Sequence, residues 1–367
     1  MAGPHLAFTL FSLSDIGPFS GYTKGEFHCK RGIRMKKRLT LTSILALFLI
    51  LPGCSSGTEP INRPGSVSEL LAIDIGGMKQ WILIRGQNAD NPVLLWLHGG
   101  PGSAQMPIHH AYTKELEKEF VIVHWDQRGA GKSNHSGFSE ETMTLDQFMK
   151  DVHELTGYLK NRFAQDRIYL LGHSWGSLLG IKAAAGYPED YAAYLSVSQV
   201  VHSRKADKIS YSWLKEQVEA SGSDADKIAL RELGGPPFLE HDRYVRFAKI
   251  KDAFGGGMDA GEYTFSDFLR WFKGASRGSG PMWEETNNID LFTEIDSLRV
   301  PVYFFTGVND YNTPHELVKE YYSYLSAPEK QLITFNESAH TPFIAETDIF
   351  NHNVVQVKHL ETMEAEF

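Results

Sequence analysis

Apolar residues along this 367-residue chain gather into short unbroken runs separated by longer amphipathic stretches. Val93-Leu94-Leu95-Trp96-Leu97, Phe120-Val121-Ile122-Val123-His124-Trp125 and Ile168-Tyr169-Leu170-Leu171 are three of them. Tyr194-Leu195-Ser196-Val197-Ser198, Val300-Pro301-Val302-Tyr303-Phe304-Phe305 and Gln331-Leu332-Ile333-Thr334-Phe335 are three more. Runs of this length without polar alternation predict strands buried on both faces, as in a parallel sheet covered by helices. The segment 145–163 fits a covering helix, with Phe148, Val152, Leu155 and Leu159 on one face at three- and four-residue spacing. Upstream, the β-rich runs 69–75 and 78–84 meet at Gly76-Gly77, a hairpin signal. The expected fold class is therefore α/β, a doubly wound and mostly parallel sheet.

The texture changes after residue 202. Residues 203–295 are polar and helical in pattern, broken at Gly234-Gly235-Pro236-Pro237 and Gly255-Gly256-Gly257, before strand texture returns. A helical lid inserted into the sheet accounts for this, giving a first core part at 67–202, a cap at 203–295 and a second core part at 296–367. Such an insertion sits at the carboxyl ends of the strands, where ligands bind in these folds.

The front of the chain belongs to neither part. Met35-Lys36-Lys37-Arg38 is basic, and the apolar stretch from Leu39 to Leu51 is about 13 residues, too short to span a bilayer but suited to a signal peptide. It runs into Leu51-Pro52-Gly53-Cys54, which resembles the lipobox of bacterial lipoproteins, with Pro52 departing from the usual small residue. The expectation is a signal over 35–53, lipidation at Cys54 and a flexible Ser/Gly/Pro/Asn-rich tether over 54–66. The competing readings are an ordinary secretory signal and an uncleaved anchor. A signal belongs near the start of translation, so Met35 is a candidate start and residues 1–34 a doubtful extension. Cys29 and Cys54 are the two cysteines, which leaves no disulfide framework and no cysteine metal site in a chain beginning at Cys54.

Charge narrows the partners. The chain holds 36 Lys+Arg and 45 Asp+Glu. Residues 1–53 account for 7 and 2 of these, so the remainder carries 36−7 = 29 against 45−2 = 43, a net −14. An acidic body is a poor partner for nucleic acid or anionic headgroups, so contact with a membrane is expected only through the anchor at Cys54. The oligomeric state is left open.

Gly172-His173-Ser174-Trp175-Gly176 carries the chemistry. A G-x-S-x-G pentapeptide between an apolar strand and a helical run is the context of a nucleophile elbow. A serine hydroxyl needs a base, and in this fold class the order along the chain is Ser, acid, His. Asp310 follows the run 300–305 and His340 follows 331–335, so both are expected at the strand ends beside Ser174. The competing readings make Asp310 a simple Asx-turn and His340 a residue that merely opens a helix. Glu337 is a rival acid too close in sequence to His340 to reach round it, and His352 and His359 are expected at the surface of a terminal helix. Two backbone N–H groups should receive the oxyanion. Trp175 supplies one, and Gly100 in the loop His98-Gly99-Gly100-Pro101-Gly102 is the candidate for the other. His98 and Arg128 are read as structural. Gly131-Lys132-Ser133 imitates a P-loop, but Asp126 stands where that motif needs glycine, which argues against nucleotide binding.

Together these segments resemble the prolyl iminopeptidase branch of the α/β-hydrolase superfamily. The resemblance rests on H-G-G-P-G at 98–102, W-D-Q-R-G-A-G-K-S at 125–133, G-H-S-W-G-S at 172–177, G-V-N-D-Y-N-T-P at 307–314 and S-A-H-T-P at 338–342. It implies a serine hydrolase with triad Ser174, Asp310 and His340 and no metal or cofactor. The implied reaction releases N-terminal proline or a small apolar residue from short peptides. The resemblance also implies a lid carboxylate for the substrate's free amine, yet the branch's usual Trp-x-x-Trp-Glu segment is missing, and Glu284 in Trp283-Glu284-Glu285 is the nearest candidate. Its competing reading is an exposed loop acid. Tyr211, Trp213, Phe268, Trp271 and Phe272 are candidates for a pocket lining, although aromatics at helical spacing more often form a lid's own core. Two alternative functions remain: an esterase, lactonase or amidase acting on a small substrate without an amine, and a non-catalytic surface binding protein. Haloalkane dehalogenation is disfavoured, because it needs a carboxylate at position 174.

Overall fold

The computed structural model describes residues 58–252 and 280–364. The segment 35–53 read as a signal, Cys54, Phe268, Trp271 and Phe272 lie outside the described residues. Among those described, no helix is long and apolar enough to cross a membrane.

The strands are β1 (Val67–Ile75), β2 (Met78–Gly86), β3 (Val93–Leu97), β4 (Val121–Asp126), β5 (Ile168–His173), β6 (Tyr191–Val197), β7 (Val302–Gly307) and β8 (Lys330–Phe335). They form one sheet in the order β1-β2-β4-β3-β5-β6-β7-β8. The β1–β2 hairpin and the β2–β4 pair are antiparallel, and every pairing from β4 to β8 is parallel. Strands β3, β4, β5 and β7 are buried along their whole length, which is what unbroken apolar runs foretell. Successive side chains serve opposite faces. Leu95 and Leu97 join one apolar cluster with Phe148, Leu155 and Phe304, while Leu94 and Trp96 join another with Tyr303, Phe305 and Phe350.

Helices cover both faces. They are α1 (Leu145–Phe163), α2 (Trp175–Gly186), the cap helices α3 (Ser203–Ser221), α4 (Asp224–Leu233), α5 (His241–Asp252) and α6 (Trp283–Asn287), then α7 (Leu291–Glu294), α8 (His315–Tyr324), α9 (Pro342–Ala345) and α10 (Thr347–Glu364). The first begins where Thr144 accepts a hydrogen bond from the Gln147 N–H at 3.2 Å, and it buries Phe148, Val152, Leu155 and Leu159 as the spacing requires. The cap has a small core of its own, with Leu214, Val218, Leu230, Leu233, Phe238 and Phe247 buried together. Tyr211 and Trp213 pack on that cluster. Trp213 also stacks on Tyr311 with ring centroids 4.3 Å apart, so both aromatics serve packing.

Candidate active site

The parallel strands deliver their chemistry-bearing loops to one edge. Between β5 and α2 the chain turns at Ser174, whose backbone stands at φ 53°, ψ −118°, a conformation that L-residues rarely adopt. The glycines at either side allow the helix to lie against the sheet. A Cβ on Gly176 would sit 2.1 Å from the Leu97 carbonyl oxygen, and one on Gly172 would sit 2.3 Å from the Gly176 oxygen. The Ser174 N–H donates to the Val197 carbonyl at 3.0 Å, which ties the turn to β6.

Asp310 and His340 leave the ends of β7 and β8. The His340 Nδ1–H donates to Asp310 Oδ2 at 2.9 Å. Asp310 Oδ1 accepts the N–H groups of Asn312 and Thr313 at 2.8 and 3.0 Å, and Oδ2 also accepts the Thr313 hydroxyl at 2.7 Å. The Asx-turn and the partnership with histidine are thus the same residue's two oxygens. Burial pushes the Asp310 carboxyl up, but the neighbouring His340 charge and the bonds from His340 and Thr313 outweigh it, and the pKa ends well below the usual range. Asp310 is therefore an anion at every working pH. Glu337 is exposed, and His352 and His359 are exposed on α10.

The loop after β3 faces the elbow. Gly100 has φ +124°, and a Cβ there would meet Gly102 N at 2.4 Å, so the backbone can turn its amide only because no side chain is present. Trp175 opens α2, where first-turn N–H groups have no acceptor within the helix. Gly100, Trp175, Ser174 and His340 all border one cavity.

A buried network holds these loops. The His98 ring donates from Nδ1 to the Gly99 carbonyl at 2.7 Å and accepts the Gln127 N–H at Nε2 at 3.1 Å. Burial lowers its pKa to about 4, partly countered by the Gly99 bond, so it stays neutral. The Gln127 side chain donates to the His98 carbonyl at 3.0 Å and accepts the Trp175 indole N–H at 3.1 Å. Arg128 is paired with the fully buried Asp151 through Nε and Nη2, each at 2.9 Å. Ser133 accepts the Trp81 N–H at 2.9 Å and donates to the Asp126 carbonyl, and Lys132 lies 4.8 Å from the Trp81 ring centroid. The glycine-lysine-serine run fastens this loop to β2.

The cavity, about 1000 Å³, lies between the sheet edge and the cap. Glu284 does not border it. Its carboxylate is on the exposed side of α6, while Trp283, Thr286 and Asn287 of the same helix face the cavity. The acids that the cap does bring there are Asp207 of α3, buried to 8% exposure, and the exposed Asp242 of α5. Burial raises the Asp207 carboxyl from 3.8 to about 6, with the Lys251 charge pulling the other way. Asn287 is 6% exposed, and its Oδ1 has no hydrogen-bond partner among the described residues. Asp207 was legible in principle. It stands on the buried stripe Asp207, Ser210, Leu214, Val218 of an amphipathic helix, where a charge is costly.

This arrangement of sheet, elbow and strand-end loops defines an α/β-hydrolase. The family model described as alpha/beta hydrolase fold matches residues 92–347, and the chain belongs to that family. It is similar to the "Probable aminopeptidase YbaC" of Bacillus subtilis (strain 168), 32% identical over 300 residues that cover 78% of this chain and 94% of that protein. It is also similar to a proline iminopeptidase of Heyndrickxia coagulans, 24% identical over 289 residues, covering 75% of this chain and 93% of the relative. The proline iminopeptidase structure from Mycobacterium smegmatis shares the fold, with a TM-score of 0.60 at 17% identity, over 81% of this chain and all of that one. The chain is a prolyl iminopeptidase-like α/β-hydrolase.

Proposed function

We propose that the protein is a serine aminopeptidase that releases an N-terminal proline or small apolar residue from short peptides through an acyl-enzyme. The observation that supports this best is Asp207. It is a buried carboxylate on the cap side of the same cavity that Ser174 and His340 border from the sheet side. A protonated amine there satisfies an acid whose ionisation burial opposes, and Asn287 Oδ1 offers a second acceptor for its N–H groups. Val200, Val201, Ala206, Ile289 and Leu317 give the cavity apolar wall suited to a small side chain.

The proposed reaction uses these groups in two steps. His340 Nε2 takes the Ser174 proton as Oγ attacks the carbonyl carbon, and Asp310 holds the tautomer and steadies the imidazolium. The negative oxygen of the tetrahedral intermediate is received by the Gly100 and Trp175 N–H groups. Collapse breaks the C–N bond, and His340 returns its proton to the departing amine. Water, deprotonated by His340, then cleaves the ester to Ser174 and restores the free serine.

The test compares a prolyl arylamide with a free amine, its N-acetylated form and a short-chain aryl ester. It uses protein from Ser55 onward, the compact body, with Ser174→Ala as control. Cleavage of the free-amine arylamide at least about 100-fold faster than the acetylated one is expected, since the latter offers the buried acid no ammonium group. Ester turnover with neither arylamide cleaved would keep the hydrolase and discard the aminopeptidase.

A further inference from the structure

His173, the second residue of the pentapeptide, is not used by the mechanism above, yet it is 4% exposed and makes a hydrogen bond from each ring nitrogen. Gln105 lies 2.8 Å from Nδ1, and the backbone carbonyl of His340 lies 2.9 Å from Nε2. The direction of each bond can be worked out from one end. The Trp96 indole N–H, a donor only, meets Gln105 Oε1 at 2.8 Å. The Gln105 amide therefore presents its NH₂ to His173, whose Nδ1 must accept, so the ring proton sits on Nε2 and is donated to the His340 carbonyl. Ser198 Oγ donates to the same carbonyl at 3.0 Å.

We infer that His173 is a positioning residue that holds the catalytic histidine's backbone, through a hydrogen-bond chain running from Trp96 by way of Gln105 to the His340 carbonyl. This rests on the reading of His340 as the base that serves Ser174.

The chain has only one consistent register. Flipping the Gln105 amide would set its NH₂ against the indole N–H, and a proton on His173 Nδ1 would set it against the Gln105 NH₂. Burial, reinforced by the nearby His340 charge, lowers the His173 pKa to about 3, so the ring remains neutral and keeps its acceptor. The arrangement is stiff at both ends. Trp96 is fully buried in β3, and His173 ends β5, paired to Val197. The loop carrying His340 leaves the edge strand β8 and is tied at Ser338, whose carbonyl accepts the Asn309 N–H at 3.1 Å and whose hydroxyl donates to Glu346 at 2.5 Å. The two donors on the His340 carbonyl, His173 and Ser198, add a tie at the histidine itself from strands nearer the centre of the sheet. The rings of His173 and His340 also lie 4.9 Å apart at 51°, and Phe343 meets His173 edge-on at 4.9 Å, so a ring of this size is packed as well as bonded.

Packing and tethering can be separated by substitution at 173. His173→Phe keeps the ring and loses both bonds. His173→Asn keeps an acceptor near Nδ1 but cannot reach the His340 carbonyl, and His173→Gln places an N–H near the Nε2 position. The full chain is assayed after active-site titration with a fluorophosphonate, so that only folded, reactive enzyme is counted. Expected are a kcat loss of about 30-fold in His173→Phe and His173→Asn with KM within about twofold, and partial rescue in His173→Gln. The low-field proton resonance of the Asp310–His340 bond should shift or broaden in the first two and persist in the third. Equal kcat per titrated site in all three variants, or His173→Asn matching His173→Gln, would overturn the inference. Failure of the wild-type protein to label at Ser174 would instead overturn the serine-hydrolase reading on which it rests.

Discussion

Asp151 in the sheet domain and Asp207 in the cap are both buried acids, and they are treated in opposite ways. Asp151 is fully buried and accepts from Arg128 twice, from Gln80 at 2.8 Å and from Gln147 at 2.7 Å. Its charge is matched within the protein, and its work is to hold the loop after β4. Asp207 lies on an apolar helical stripe above a cavity, with a carboxyl that burial pushes to about 6. An acid matched by hydrogen bonds from several sides indicates architecture, and one held at a cavity wall with its ionisation opposed by burial indicates a ligand. The difference extends to the domains. The sheet holds the proposed reacting groups at its edge, and in the proposed function the cap, with a small core of its own, tells one substrate from another.

Replacing groups on each side sharpens that division, and the sheet side should give the largest effect. Asp310→Asn is expected to lower kcat by about 10³- to 10⁴-fold on amide and ester substrates alike, because the imidazole loses its tautomer control. Steady-state assays on both substrate types check this, and a loss confined to one type would break the assignment of Asp310 to the chemical step.

Asp207→Asn should act on recognition instead. KM for free-amine substrates is expected to rise about 30-fold, with ester kcat within about twofold of wild type. The same change should stabilise the free protein, and the sign follows from linkage. A carboxyl raised from 3.8 to about 6 costs nothing at a pH below 3.8, where folded and unfolded chains are both protonated; its cost grows up to about pH 6 and is complete above it. Thermal melts should therefore show Asp207→Asn higher by about 2–4 °C at pH 7.5 and unchanged near pH 3.5. A lower Tm at pH 7.5 would mean that the Lys251 charge outweighs the burial.

Glu284→Gln should give the smallest effect. Exposed on α6 and away from the cavity, it is expected to leave KM and kcat within about twofold for every substrate. A large rise in KM for free-amine substrates would move the amine subsite from Asp207 to the outer face of the cap.

Much of the site was legible because its parts are local. Each of Gly100, Ser174, Asp310 and His340 follows an apolar run, and a run that ends in a turn residue marks the end of a buried strand whatever its neighbours are. The cap was harder. Glu284 drew attention by sitting beside Trp283, but helical rotation turns it outward while Trp283, Thr286 and Asn287 turn in. The role of Asp207 depends on a face of α3 that only the sheet beneath makes a cavity wall.

What the linear pattern determined by itself is the α/β class, the presence and approximate place of the strands and the residues in the turns that follow them, since hydrophobic periodicity and backbone-permissive glycines act over a few residues. What only the tertiary structure decided is which distant groups meet. The strand order β3-β5-β6-β7-β8 brings Gln105 to His173 and His173 to His340 across 68 and 167 positions of chain. It also sets Asp207 opposite Ser174. Those meetings depend on long-range packing, whose free energy is shared among many contacts and leaves no mark in any short stretch of sequence.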